Sequence, residues 1–164
     1  MTIIRTDSSN KDFQYLVQFL DQDLAVRDGD EHAFYHQFNS IDQLKNCVLF
    51  YVDEKPVACG AFKKFEDDTV EIKRMYVLPE YRGKGFASKI LAELEIWAKE
   101  EGFLCGILET GRKQPEAMAL YQKNGYCQIP NYGQYEGIEN SVCYRKILSV
   151  TELRSYSKHN KINE

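Results

Sequence analysis

The stretch Arg74 to Ser88, RMYVLPEYRGKGFAS, limits the chain more than any other. Its first half is apolar and β-prone. It then meets Pro79, glycines at 83 and 85, and a long helical pattern. A strand that breaks into a glycine turn and then starts a helix presents a row of unpaired backbone N–H groups. The two glycines let a ligand come close to that backbone. Phosphate or pyrophosphate is the natural ligand of such a feature, so a strand, a helix and an anion site are fixed end to end.

The flanking sequence supplies the other elements. Thr2 to Arg5 is a short β-prone start, and Asp7, Ser8 and Ser9 suit a turn and a helix cap. Phe13, Leu16, Val17, Leu20 and Leu24 recur at helical spacing, which predicts an amphipathic helix from Lys11 to about Leu24. Residues 25–40 suit a loop and a short helix, with Ser40 capping another through Leu44. Val48–Val52, Val57–Phe65 and Thr69–Val77 are three strands joined by polar turns, an antiparallel meander. Beyond the glycines, Ile90, Leu91, Leu94, Trp97 and Ala98 form the apolar face of a helix from Ala87 to Glu101. Its wet face holds Glu93, Glu95, Lys99, Glu100 and Glu101, and Gly102 ends it. Phe103–Leu108 is a short apolar strand. Pro115 opens a helix that Asn124-Gly125 stops. Tyr126–Ile129 and Ser141–Leu148 are the last strands, separated by a Gly/Tyr-rich loop over 130–139. The domain is expected over 1–148, with 149–164 a polar tail.

A chain of 164 residues fits one domain with a proper core. Its formal net charge of -4 and lack of a dense basic run argue against nucleic acid as a partner. Its five cysteines form no CxxC pair and suit small buried side chains in a reducing compartment. The N-terminus is no signal peptide, and no apolar run approaches membrane-spanning length. A cytoplasmic location, with no membrane partner, is the expectation.

Three phosphate sites compete for the central stretch. A Walker loop needs GxxxxGK[ST], which is missing. A dinucleotide fingerprint needs GxGxxG at the start of a βαβ unit; here Ser88 stands at the third glycine, and a meander precedes it. The third pattern is [RQ]xxGx[GA], present as Arg82-Gly-Lys-Gly85-Phe-Ala87. With Met75 to Tyr81 before it, and Ala117-Met-Ala-Leu120-Tyr121-Gln-Lys-Asn-Gly125-Tyr126 after it, the chain resembles the GNAT acetyltransferases. The resemblance covers about residues 2–148. One departure stands out: many members carry asparagine three residues before that alanine, where this chain has Gln114.

The resemblance implies an α+β fold in α/β/α layers. Its central sheet would be mixed and mostly antiparallel, with about seven strands, a splay between strands four and five, and about four flanking helices. It implies acetyl-CoA as co-substrate, no metal, and transfer of the acetyl group to a primary amine by direct attack through a tetrahedral intermediate. The backbone of Gly83, Lys84, Gly85, Phe86 and Ala87, with Arg82, would hold the pyrophosphate. Main-chain groups of Met75, Tyr76 and Val77 would pair with the pantetheine arm, and the N–H of Val77 or Tyr76 would polarise the acetyl carbonyl. Gln114 offers an amide whose reach differs from asparagine's. Tyr121 matches the family's general acid. The helix alone would make it only a tyrosine at a buried edge. Glu71 is the candidate base, with Glu109 as the alternative base or a substrate anchor. As a bare pattern, Glu71 and Lys73 on one strand face are a surface pair.

Acceptor recognition would fall to residues 25–38 and 130–139. These carry Asp28, Asp30, Glu31, His32, Tyr35 and His36, then Tyr132, Tyr135 and Glu136. Aromatic walls with carboxylates suit a cationic amine. His32 and His36 are four apart, but no third metal ligand is signalled, so a helix-surface pair is the expectation. A small molecule or amino acid is the expected acceptor. A protein lysine or N-terminus, or a non-catalytic acyl-CoA-binding module, stands as the alternative. Dimers are common in the family, so the resemblance allows a homodimer.

Overall fold

The computed structural model describes residues 1–31 and 43–148. The expectations placed on His32, Tyr35, His36, the Ser40 cap and the 149–164 tail lie outside the described residues. Seven strands form one sheet: β1 (Thr2–Thr6), β2 (Asn46–Val52), β3 (Lys55–Glu66), β4 (Thr69–Val77), β5 (Cys105–Gly111), β6 (Cys127–Ile129) and β7 (Ser141–Ile147). Their order is β1-β2-β3-β4-β5-β7-β6. Every neighbouring pair is antiparallel except β4–β5. That parallel pair is short. Thr69, Val70 and Glu71 match Cys105, Gly106 and Ile107, and then the strands part. This is the expected splay, and it opens the sheet where β4 runs on to Val77.

Among the described residues there are three α-helices rather than about four: α1 (Lys11–Asp28), α2 (Phe86–Glu100) and α3 (Pro115–Lys123). α1 is a turn longer than its apolar pattern, because Ala25, Val26 and Arg27 continue it until Gly29 turns the chain at φ 55°. Its cap is Asn10, whose side chain accepts from Asp12 N and Phe13 N; Asp7 instead holds the preceding turn through Ser9 N at 2.9 Å. β5 also runs three residues past its apolar run, to Gly111, because β7 continues to pair with it as far as Ser141.

The helices sandwich the meander. Phe62 meets Trp97 edge-on and Phe50 stacks on Phe86, so α2 covers one face. On the other, the Tyr51 hydroxyl donates to Asp12 and the Arg74 guanidinium to Asp21, both on α1. Cys47, Val48, Leu49 and Phe50 are accordingly buried in succession, as expected of a strand covered on both sides. Glu95 is not on a wet face. It accepts from Lys146 at 2.6 Å and from the Tyr126 hydroxyl at 3.2 Å, tying α2 to β7.

One irregularity bears on the site. Cys59 pairs with Tyr76 but Ala61 pairs with Lys73, so β4 carries one extra residue opposite Gly60. Arg74 takes it up at φ 59°, in the left-handed region that few side chains adopt. Glycine at 60 leaves room for the neighbouring side chains. A Cβ on it would lie 2.5 Å from Met75 Sδ and 2.7 Å from Ile90 Cγ2. The Cys59 thiol donates to the carbonyl of Arg74 at 3.3 Å, so this cysteine satisfies a group displaced by the bulge.

Candidate active site

A cleft of about 500 Å³ follows the splay. Its walls come from β4 between Glu71 and Val77, the glycine turn and first residues of α2, the end of β5, α3, and the last turns of α1. At one end Gly85 caps α2 at φ +82°, two residues after Gly83 at φ +76°, and no side chain caps the helix. An α-helix leaves its first N–H groups without partners inside the helix, and those of Phe86, Ala87 and Ser88 face outward here. A Cβ on Gly83 or Gly85 would meet nothing within 4 Å, so the space above this backbone is open. An anion fits: the helix terminus carries about half a positive charge. Lys123 lines the same end, since the adjoining Asn124 donates to Ser88 Oγ at 3.1 Å.

Along β4, strand alternation decides which backbone groups face the splay. Leu78 N donates to Val57 O at 2.9 Å, across to β3. The neighbouring Val77 N–H and C=O therefore turn the other way, towards the opening. The Arg82 Nε donates to that Val77 carbonyl at 2.9 Å, and its guanidinium lies over the Tyr76 ring at 5.5 Å. Arg82 thus braces the turn onto its own strand.

The other end of the cleft holds the titratable groups. Glu71 is buried and already engaged: Tyr132 donates to it at 2.6 Å, and Lys73 and Lys63 lie at 3.7 and 3.8 Å. Glu109, at the end of β5, is pushed up to about 8. Burial is the main cause; Asp28 and Glu71 add to it, while Lys73 and a hydrogen bond from Tyr135 oppose it. Lys73 is itself pushed down, chiefly by burial. Tyr121 is buried against Tyr126 and Tyr144, at ring separations of 5.9 and 6.2 Å. Burial first, and Glu109's charge second, raise its hydroxyl well above the usual range, so it keeps its proton at any physiological pH.

Most of the residues singled out from the sequence come together in this cleft: Glu71, Met75, Tyr76, Val77, Arg82, Gly83, Gly85, Phe86, Ala87, Glu109, Gln114, Tyr121 and Tyr135 line it. Tyr132 joins from behind, through Glu71. Gln114 sits at the start of α3 without capping it by its side chain. Lys84 is exposed, with its ammonium 5.5 Å over the Tyr81 ring, and Asp30 is exposed on the turn after α1, outside the cleft lining. Sequence reasoning passed over the α1 carboxylates Asp21 and Asp23, which hold Arg74 at 2.7 Å and Arg82 at 3.4 Å. Their only signal is a pair of acids on the polar side of α1. Lys73 is not a surface residue: its side chain is 8% exposed. Among the described residues no cluster of three or more His, Cys, Asp or Glu could hold a metal ion. No helix among them is long and apolar enough to cross a membrane.

A family model described as the acetyltransferase (GNAT) family matches residues 13–126. An IAA acetyltransferase of Azospirillum brasilense is 36% identical over 80 residues, which are 48% of this chain and 52% of that protein. The uncharacterized N-acetyltransferase YjgM of Escherichia coli K12 is 43% identical over 64 residues, 39% of this chain and 38% of that one. The chain thus matches about half, or less, of the length of these relatives. Among solved structures, a putative acyl-CoA N-acyltransferase from Klebsiella pneumoniae aligns with a TM-score of 0.75 at 28% identity, covering 90% of this chain and 97% of that one. A PaiA N-acetyltransferase from Thermoplasma acidophilum, solved with coenzyme A, aligns with a TM-score of 0.65 at 17% identity, covering 90% and 99%; that likeness is one of fold.

Proposed function

The chain belongs to the GNAT acetyltransferase family, and from that premise we propose that it moves an acetyl group from acetyl-CoA to a primary amine on a small molecule. The observation that carries this reading is the single cleft joining an uncapped glycine helix terminus to Glu109 and Tyr121. Bound acetyl-CoA supplies the acyl group as a thioester. The residues present fit it: open backbone at Gly83 and Gly85 for the pyrophosphate, and the Val77 N–H turned into the splay, with the Val77 carbonyl already accepting from Arg82. At the acceptor's end, carboxyl groups beside the Tyr135 ring suit a small amine.

Each protein group then has one task. Glu109 takes the proton that the attacking amine gives up. Its raised affinity for protons matches this work near neutral pH. The Val77 N–H donates to the carbonyl oxygen as charge builds there. Tyr121 gives its hydroxyl proton to the departing sulfur and is replenished from solvent. Glu71 is held by Tyr132 and two lysines, which suits it to orient the acceptor's end of the cleft rather than to shuttle protons. A thiol-release assay with acetyl-CoA over amines, amino acids and peptides tests the proposal. Tight coenzyme binding with no release on any acceptor would instead mark a non-catalytic acyl-CoA-binding module.

A further inference from the structure

The acceptor's own charge can be read from how the cleft spends its cations. Among the described residues five line it: Arg27, Lys73, Arg74, Arg82 and Lys123. Four are each held by a carboxylate. Glu116 holds Arg27, Glu71 holds Lys73 at 3.7 Å, Asp21 holds Arg74 at 2.7 Å and Asp23 holds Arg82 at 3.4 Å. Arg74 is further withdrawn, its side chain only 3% exposed. The fifth, Lys123, sits beside the glycine turn, at the phosphate end. Around the proposed point of transfer stand Asp28, Glu71 and Glu109, with Lys73 the cation among them.

An acceptor that carried a carboxylate near its amine would bring it into this half-buried space. It would be desolvated there, and it would have to displace Glu71 from Lys73, or meet the acids directly. A buried charge left without a partner is among the more costly defects a complex can have. An ammonium, by contrast, adds no negative charge beside Asp28, Glu71 and Glu109, and it faces the aromatic ring of Tyr135.

We infer that the acceptor is an alkyl amine bearing no acidic group, and that free α-amino acids are excluded by the pairing of the cleft's cations. This rests on the acetyl-transfer reading and narrows its acceptor. Cadaverine and L-lysine make the matched test, because lysine is cadaverine with one α-carboxylate added. Cadaverine should be acetylated with a kcat/KM at least tenfold above that of lysine. Equal use of the two, or a preference for lysine, overturns the inference.

Glu71→Gln tests the cause. The amide oxygen still accepts from Tyr132, but Lys73 loses the Glu71 carboxylate at 3.7 Å that would otherwise compete with the acceptor's. The cadaverine-to-lysine ratio should fall several-fold; an unchanged ratio would show that cation pairing is not the source of the selectivity. Binding keeps the inference testable apart from catalysis. On the coenzyme A complex, cadaverine should add to Tm and lysine should not, and equal shifts overturn it. Loss of turnover on every amine with that difference in binding intact would sink the transfer reading while leaving the charge selectivity standing.

Discussion

Two carboxyl groups face the same cleft, and their surroundings differ. Glu71 has a tyrosine hydroxyl at 2.6 Å and two lysines within 4 Å, so its negative charge is spoken for. Glu109 is raised to about 8, chiefly by burial. A base must be ionised to act, so kcat/KM should rise with pH and level off above about 8. Glu109→Gln should remove that limb and lower the plateau by about a hundredfold or more. Glu71→Gln should keep the limb but move it to lower pH, because Glu71's charge helps to raise Glu109; its disappearance there would move the base to Glu71. Stability gives an independent check. The folded state binds this proton more tightly than the unfolded chain, whose value is near 4.5. The contribution is therefore complete below that value and is lost as pH rises through about 8. Melting curves at pH 6 and pH 9 should show Glu109→Gln gaining on the unmodified protein at the higher pH. Tyr121 is the opposite case, a hydroxyl that stays protonated. Phenylalanine keeps its ring contacts with Tyr126 and Tyr144. Tyr121→Phe should cost roughly ten- to a thousandfold in kcat while acetyl-CoA affinity moves little. Equal losses in both would make Tyr121 a packing residue. The surroundings of the two glutamates were not separable in the sequence, since Glu71 is held by Tyr132, sixty-one positions away in the chain.

At the scale of elements, two glycines do different things, and one substitution at each separates them. Gly85 has open space above it and a left-handed backbone, so Gly85→Ala pays roughly 1–2 kcal/mol for conformation alone. Its methyl would then stand where a pyrophosphate must approach. Coenzyme A affinity should therefore fall further than that loss of stability accounts for. Gly60 is the reverse, with Met75 and Ile90 pressed against it across the sheet. Gly60→Ala should destabilise the fold by about 1–3 kcal/mol as an overpacked core does, and should displace Met75 beside the bulge. Urea unfolding gives the first quantity, and calorimetric titration with coenzyme A gives the second. The glycine turn was legible because two glycines between a strand pattern and a helix pattern have few other uses. The bulge was not. Its residue is Arg74, a side chain that marks no turn, and Gly60 opposite it packs against a helix thirty residues further on. The end of α1 escaped for a related reason. The apolar period stops at Leu24, yet Ala25, Val26, Arg27 and Asp28 continue the helix along the cleft, where Arg27 meets Glu116.

For the whole molecule, the sheet brings residues far apart in sequence around one gap, and the helices hold that gap open from both faces. Parallel pairing of β4 with β5 extends over three residue pairs only, while β3 and β7 keep the outer edges of the two strands occupied. Beyond those pairs the inner edges of both strands face the gap, while each strand stays held to the sheet by its outer neighbour. α1 crosses the gap with Asp23 on Arg82 of the turn and Arg27 on Glu116 of α3. A ligand that fills the gap ties β4, α2 and α3 together and so binds only the folded chain. At a hundred times its dissociation constant it should add about 2.7 kcal/mol to stability. For a chain of this length that is a rise of roughly 5–10 °C in melting temperature. Coenzyme A and acetyl-CoA should both produce it in a thermal-shift measurement. NAD and ATP should not, because Ser88 replaces the third glycine of the dinucleotide pattern and no Walker lysine follows the turn. An equal rise with NAD would mean that the glycine turn accepts any pyrophosphate and that the splay contributes nothing to selection. A rise with coenzyme A that Gly85→Ala removes and Tyr121→Phe preserves would locate the binding energy at the helix terminus and leave the chemistry to the far end of the cleft.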